Sequence, residues 1–383
     1  MFDKGNHQNP LALVLGGGGA HAAYQVGFLR ALAREFPDLE IPILTGVSAG
    51  AINAVYLANH TGSFKQAVDD LVAMWQGLTI DQIFRTETLS LLKNLLHWQL
   101  SLMSGGLIRS PTERGLVDSS PLHHLLQREF FRDGQMLAGI ESKLQACRLK
   151  AVAVTATDYH SDRAVTWVQG KDVESWKRPH RFSIEAELSL EHGMASTALP
   201  LFFRAVQIGN QWYGDGGMRQ TSPLAPALHL GAARILAIST RYERQLEKQS
   251  ALIDTSQPQP AQIVGTLLGS IFLDLLVQDA RNLERINQLV SKLPEAERDG
   301  LREVQLFLLQ PSSNISELSG ELRHHLPWMF NYLVRGLGTH KVVSPDWLSL
   351  VMFDANYLKR LMEIGEQDAK KSMAHVAELV APD

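Results

Sequence analysis

Twice within its first 60 residues the chain runs a short apolar segment into glycine and out again into a helical pattern, which leaves few folds open. Residues 11–15 are apolar and end in the four glycines 16–19; residues 20–36 then carry Tyr24, Phe28, Leu29 and Leu32 at helical spacing. Residues 41–45 form a second apolar run, closed by Gly46, Val47, Ser48, Ala49 and Gly50 and followed by a helical pattern through Leu57. A helix between two strands returns the chain to the end where it started, so the strands are parallel. Parallel strands are buried on both faces and need helices on each side. The opening therefore predicts an α/β fold.

The rest of the chain extends that unit. Residues 63–130 read as helices with loops, with Ser120 as N-cap and Pro121 in the first turn of a helix through Glu129. Strands are expected at 149–157, 163–168, 234–240 and 304–309, and a hairpin at 205–208 and 211–213 around Gly209 and Asn210. Residues 242–262 turn charged and then proline-rich (Pro258, Pro260), as an exposed connection does. Helical patterns follow at 263–293, 318–337 and 356–380. The expected architecture is a three-layer α/β/α unit at 8–245 with a mostly parallel central sheet. A mainly helical C-terminal extension at 246–383 would pack on it.

Composition removes several function classes. Thirty-six basic against 40 acidic residues give a net charge of -4, without the basic excess of a nucleic-acid binder. The single cysteine, Cys147, excludes an intrachain disulfide and a cysteine-rich metal site; it is expected to be an inert, partly buried thiol. No H-E-x-x-H spacing occurs, so neither metal nor cofactor is expected. The polar first ten residues and the short apolar run after them do not make a signal peptide. Residues 263–277, broken by Asp274, fall short of the roughly 20 needed to span a bilayer. These features predict a cytoplasmic chain, peripheral at most to a membrane, of undetermined oligomeric state.

Three motifs carry chemistry. Gly46 to Gly50 place Ser48 where a strand turns sharply into a helix, which lifts the hydroxyl above the sheet and sets it at the positive end of the helix. Small neighbours allow that turn. The four glycines 16–19 read either as a tight turn or as an oxyanion hole, in which bare backbone N–H groups of Gly17, Gly18 and Gly19 converge on an alkoxide. Gly17, Gly19 and Ala22 also match the dinucleotide fingerprint, but the acidic residue it wants after the next strand is missing: Asp38 and Glu40 come too early. Asp215, between Gly214 and Gly216, reads as a turn residue or as the base a serine nucleophile requires. A carboxylate with an ordinary pKa near ~3.9 would need burial to take that role.

Taken in this order, the glycine loop, the Ser48 elbow and the Asp215-Gly216-Gly217 element resemble the patatin-like phospholipase family. Thr155 to Asp158, Ala195 to Pro200, Ser222 to Leu224 and, further on, Asp354 to Gly365 look familial as well. The resemblance implies the family's three-layer fold and a Ser48–Asp215 dyad without a catalytic histidine. It implies an acyl-enzyme on Ser48, an oxyanion held by Gly17, Gly18 and Gly19, and phospholipid or other acyl-ester substrates met at a membrane surface. One position departs. Where the family usually has Arg or Lys after the glycine loop, this chain has Ala20 and His21, so His21 stands as a helper of that loop or as a helix-start residue.

Other readings stay open at this level. His229, His324, His325 and His340 follow Asp215 and formally permit a triad, though each also suits a surface or capping role. Residues 88–103 form a helix apolar around more than half its circumference, either core or a lid hinged at Ser104, Gly105 and Gly106. The same dyad would also serve a soluble carboxylesterase or thioesterase. A catalytically weak lipid-binding module is the alternative outside enzymes.

Overall fold

The computed structural model describes residues 9–85, 117–132, 134–200, 202–242, 275–318 and 349–381. The expected helices at 88–103 and 318–337, the hinge at 104–106 and nearly all of the connection at 242–262 lie outside the described residues.

Ten strands form one sheet: β1 (Leu11–Leu15), β2 (Ile43–Val47), β3 (Ala151–Asp158), β4 (Arg163–Gly170), β5 (Lys177–Arg178), β6 (Arg181–Glu185), β7 (Val206–Ile208), β8 (Gln211–Asp215), β9 (Arg234–Ile238) and β10 (Gln305–Leu309). The run β10-β9-β1-β2-β3 is parallel throughout, as the double strand-to-helix opening requires. Every residue of β1 and β2 is buried, because helices cover both faces. Alternate side chains of β1 go to opposite cores. Leu11, Leu13 and Leu15 join α1 (Ala22–Glu35), α2 (Ala49–Asn59), α3 (Phe64–Gln76) and α4 (Ser120–Phe130); Ala12 and Val14 join Leu224, Ala227 and Leu276. The result is a mixed, mostly parallel sheet in three layers.

Beyond β3 the sheet changes hand. β4 returns antiparallel, β6 runs parallel to β4, and the two-residue β5 closes the edge. The pairing along β3 is what builds a site. Its first half takes β2, ending at Val47 opposite Thr155; its second half takes β8, arriving antiparallel and ending with Asp215 opposite Ala156. Two strands thus abut end to end beside β3, and the residue after one meets the last residue of the other. That places Ser48 beside Asp215.

Residues from the C-terminal third are built into this frame. β10 adds the fifth parallel strand, and α7 (Ala355–Val380) packs along α1. α6 (Leu275–Val290) covers the second face with Leu276, Ala280 and Leu283. Three local expectations need correction. The helix at 120 starts on Ser120 with Ser119 at the cap position, one residue earlier than expected, because Asp118 accepts both the N–H and the hydroxyl of Ser120. Cys147 is exposed, not partly buried, because it lies in the left-handed turn that follows a short helix. β5 and β6 are strands where none was expected.

Candidate active site

Ser48 turns the chain from β2 into α2 at φ 55° and ψ -133°. Non-glycine residues rarely take this backbone, and it persists only when its surroundings impose it. The Ser48 N–H donates to Ser196 Oγ at 2.9 Å, and the Ser196 hydroxyl donates onward to the Thr155 carbonyl at 2.7 Å. Ser196 ends α5 (Leu190–Ser196) and is fully buried. Beneath the elbow a Cβ on Gly50 would stand 2.4 Å from the Leu15 and Gly16 carbonyl oxygens, and one on Gly46 2.5 Å from the Gly50 carbonyl oxygen. Both positions admit glycine alone.

Ser196 is the residue that reading the motifs missed. Nothing in its sequence neighbourhood tells which N–H a buried hydroxyl will accept. Ser196→Ala would leave the Ser48 N–H without its acceptor and the Thr155 carbonyl without its donor. Each buried unpaired group costs about 1–3 kcal/mol. The expected result is a destabilised protein whose kcat falls roughly 10- to 100-fold with KM little changed, since a misplaced nucleophile loses the aligned geometry before it loses binding. Steady-state kinetics on one ester substrate checks the split; an equal fall in both parameters would place Ser196 outside the elbow's support.

Asp215 ends β8, its N–H given to the Ala198 carbonyl at 2.9 Å and its own carbonyl accepting from the Thr157 hydroxyl at 2.8 Å. Its side chain is 1% exposed. Oδ1 accepts the Gly217 N–H at 2.8 Å, while Oδ2 is buried and, among the described residues, has no hydrogen-bond partner. Burial raises the carboxyl pKa to about 7, and the neighbouring Ser48 hydroxyl and the Gly217 N–H pull it back only in part. The Ser48 and Asp215 side chains line the same pocket, and the Ser48 hydroxyl is one of the two groups that favour the ionised carboxylate. A carboxyl with a pKa near neutrality beside a serine is a competent general base.

The glycine loop lies against both. A Cβ on Gly17 would sit 3.2 Å from Ser48 Cβ. Gly18 and Gly19 have φ of 145° and 54°, and a Cβ on Gly19 would stand 2.1 Å from the Leu350 carbonyl oxygen. Among the described residues nothing accepts the N–H groups of Gly17, Gly18 or Gly19. The Gly17 carbonyl is turned away by the Thr240 hydroxyl at 2.7 Å, and the Gly16 carbonyl by Gln25 at 2.7 Å.

His21 follows in a 3-10 turn, its N–H donated to the Gly18 carbonyl at 3.0 Å. The ring is buried, and that burial lowers its pKa to about 3, so it is neutral. Nε2 meets Ser349 Oγ at 2.8 Å. The side chain therefore gives the loop no charge and ties it to the segment that supplies Leu350. Among the described residues no histidine hydrogen-bonds to Ser48 or Asp215. His229 stacks on Trp176 with ring centroids 4.7 Å apart; His324, His325 and His340 lie outside the described residues. Among the described residues no group of three His, Cys, Asp or Glu side chains is placed to hold a metal ion.

The sequence model of the patatin-like phospholipases matches residues 13–228, more than half of the chain. The chain belongs to the patatin-like phospholipase family. Family members are lipid hydrolases, and the matched span holds the glycine loop, Ser48, Ser196 and Asp215. Solved structures with a related fold include VipD from Legionella pneumophila at 13% identity, covering 96% of this chain and 67% of that one, with a TM-score of 0.39. Human GIVD cytosolic phospholipase A2, bound to methyl gamma-linolenyl fluorophosphonate, matches at 10% identity over 97% of this chain and 59% of its own, with a TM-score of 0.47. ExoU of Pseudomonas aeruginosa, in complex with SpcU, matches at 16% identity over 97% and 77%, with a TM-score of 0.28. The chain thus spans about three fifths of the human protein's length. Scores and identities this low carry no residue correspondence. No curated protein matches the chain in sequence.

In this patatin-like chain a pocket runs from Ser48 and Asp215 into the first core. Its walls are apolar: Ile52, Trp75 and Leu78 from α2, α3 and the turn after it, Leu125 and Leu126 from α4, and Phe203, with Leu350, Val351 and Phe353 closing it from the C-terminal part. Such walls offer almost no partner for a polar ligand, whose buried groups would go unpaired. A hydrocarbon chain loses nothing there and gains about 0.8 kcal/mol per buried methylene. Among the described residues no helix is long and apolar enough to cross a membrane.

Proposed function

We propose that the chain is a phospholipase A-type lipid acyl hydrolase working through a Ser48–Asp215 dyad. The observation that carries this reading is the open, buried Oδ2 of Asp215 beside Ser48 at the head of an apolar pocket. The Ser48 oxygen attacks the ester carbonyl carbon, and its proton passes to the Asp215 carboxylate. The N–H groups of Gly17, Gly18 and Gly19 hold the oxyanion. Asp215 returns the proton to the departing alcohol, which leaves the acyl group on Ser48. Water then attacks the acyl-enzyme, giving a proton to Asp215, and Ser48 recovers that proton as the fatty acid departs. The substrate implied is a phospholipid or other acyl-ester lipid, taken up by transient peripheral contact on the cytoplasmic side of a membrane.

Release of fatty acid from mixed phospholipid vesicles, compared between wild type and Ser48→Ala, tests it. Loss of release in the variant supports Ser48 as nucleophile and the lipid substrate together, and its loss in Asp215→Asn as well supports the dyad. Turnover confined to dispersed short-chain esters favours the carboxylesterase or thioesterase reading. Silence on both substrates would leave a lipid-binding module.

The pocket makes a second, graded expectation. Across a series of esters kcat/KM should rise about fourfold per added methylene until the pocket is full, from ~0.8 kcal/mol each. Leu125→Trp should cut that series short and leave the shortest esters unaffected. A series that stays flat in wild type would show that the acyl chain lies elsewhere.

A further inference from the structure

The strands beyond β3 gather basic residues at one end. β4 begins with Arg163 beside Asp158 at the end of β3, β6 begins with Arg181 beside Ala164, and β5 pairs Arg178 with Arg181. Arg163, Lys177, Arg178 and His180 are therefore gathered, exposed, at one end of the sheet, with Arg181 half-buried among them. The opposite end of β3 and β4, where Ala151 pairs with Gly170, carries both signs: Lys150 and Lys171 adjoin it, and Glu141, Glu185 and Glu187 stand around an open cavity beside it.

The basic end is the catalytic end. Asp215 stands opposite Ala156, two residues inside Asp158, or about 7 Å at the rise of a β-strand. Directly above it Tyr159 is 44% exposed and lies over Gly214, where a Cβ would stand 2.2 Å from the phenol oxygen. The Tyr159 N–H donates to the Trp212 carbonyl at 3.0 Å, and the Arg204 guanidinium lies 5.7 Å above the Trp212 ring. The acids here are already engaged. Asp162 binds Arg219, and Asp158 is buried with its oxygens taken by the His160 N–H and the Ser161 hydroxyl. Among the described residues no carboxylate forms an ion pair with Arg163, Lys177 or Arg178.

Basic residues on an edge strand also guard it against pairing with another chain. That explanation covers Lys177 and Arg178 on β5. It does not cover Arg163, on the inner strand β4, nor the two aromatic residues above Asp215. Uncompensated cations beside Tyr and Trp, on a chain of net charge -4, fit a surface that lies at the headgroup level of a bilayer.

We propose that the face formed by Tyr159, Trp212, Arg163, Lys177 and Arg178 docks the catalytic end of the sheet onto an anionic lipid bilayer. The assignment rests on the lipid-hydrolase reading, so binding is measured in the 383-residue Ser48→Ala chain, where hydrolysis cannot influence it. The probes are vesicles of phosphatidylcholine alone and of phosphatidylcholine with one third phosphatidylglycerol. The parent chain should favour the anionic vesicles and lose that preference in about 0.5 M salt, where the screening length falls to a few ångströms. Adding Arg163→Gln, Lys177→Gln and Arg178→Gln should weaken anionic binding roughly 100-fold, at about fivefold per charge, and leave neutral vesicles unaffected.

Unchanged anionic binding in the variant would overturn the proposal and leave the basic row as an edge guard, which self-association on a sizing column would then reveal. Equal binding of the parent to both vesicles, or binding insensitive to salt, would overturn it as well. The salt titration of the parent decides the question alone should the triple variant melt early. Lipolysis has no part in any of these outcomes, so failure of the docking face and failure of the hydrolase reading are distinguishable.

Discussion

Asp215→Asn is expected to give a protein at least about 10⁴-fold slower than wild type and yet more stable at neutral pH. The loss of rate follows from removing the proposed base beside the proposed nucleophile, a change of that order in other serine hydrolases. The gain in stability follows from the raised pKa. The unfolded carboxyl titrates at 3.8 and the folded one at about 7. Below pH 4 both states hold the proton and burial adds no pH-dependent penalty. Between pH 4 and 7 the unfolded chain releases a proton that the folded chain keeps, so wild-type stability falls as pH rises; above 7 it levels off. Three pH units correspond to about 4 kcal/mol. Asparagine is neutral throughout and escapes this, although its unpaired amide costs about 1–3 kcal/mol. The net gain at pH 8 is therefore about 2 kcal/mol; it passes through zero near about pH 5 and becomes a loss of about 1–3 kcal/mol near pH 4. In wild type the same titration should give kcat/KM an acid limb that rises tenfold per pH unit and flattens above about 7. Thermal melts at pH 4.5 and 8 read the first effect, and a pH–rate profile reads the second. A melting difference that does not change with pH would sink the account of a buried, protonated carboxyl.

The parts of the site written locally were readable in the sequence. A serine between small residues at a strand end, four glycines after another strand and an Asp flanked by glycines each describe a turn that the backbone then makes. What brings them together is not local. Val47 opposite Thr155 and Asp215 opposite Ala156 are a matter of register between segments far apart in the chain, and no periodicity within a segment encodes it. Ser196 was hidden for the same reason: its partners are 148 and 41 residues away. β5 escaped because a two-residue edge strand of Lys177 and Arg178 carries no periodicity and looks like any solvated loop, and β6 because its polar–apolar alternation, Arg181 to Glu185, spans only five residues. His21 shows the limit of reading a residue by type. Beside a glycine loop an imidazole suggests charge, and only the Ser349–Phe353 segment packed over it makes the ring neutral.

Gly27→Leu is expected to abolish the fold, because the two long helices that carry this site touch backbone to backbone. A Cβ on Gly27 of α1 would stand 2.0 Å from the Met362 carbonyl oxygen of α7, and one on Gly365 of α7 would stand 2.1 Å from the Tyr24 carbonyl oxygen of α1. The contact is reciprocal, so neither helix can yield by rotating. Side chains frame it: the Tyr24 hydroxyl donates to Asp368 at 3.2 Å, and Glu366 receives Arg30 and Arg34. A leucine would drive the helices apart, unpack the buried faces on both sides and strand the Tyr24–Asp368 pair away from water. Several of the mechanisms behind the largest single-residue effects then act together, and the loss should exceed about 4 kcal/mol. Gly365→Ala is the milder probe. α1 begins directly after the glycine loop, and Leu350, a few residues before α7, packs on Gly19; a small displacement of either helix therefore reaches the N–H groups of Gly17, Gly18 and Gly19, the proposed oxyanion donors, before it unfolds the chain. Its kcat should fall by more than its melting temperature would suggest, with KM held. Gly77→Ala provides the control: φ is -85°, the nearest atom to its Cβ is 3.5 Å away, and neither stability nor rate should move by more than the small amounts typical of a surface change. If Gly27→Leu melts with wild type, the glycine contact is not what locks α7 to the catalytic sheet, and the helix must be held by its buried apolar face, Leu358, Leu361 and Met362 among it.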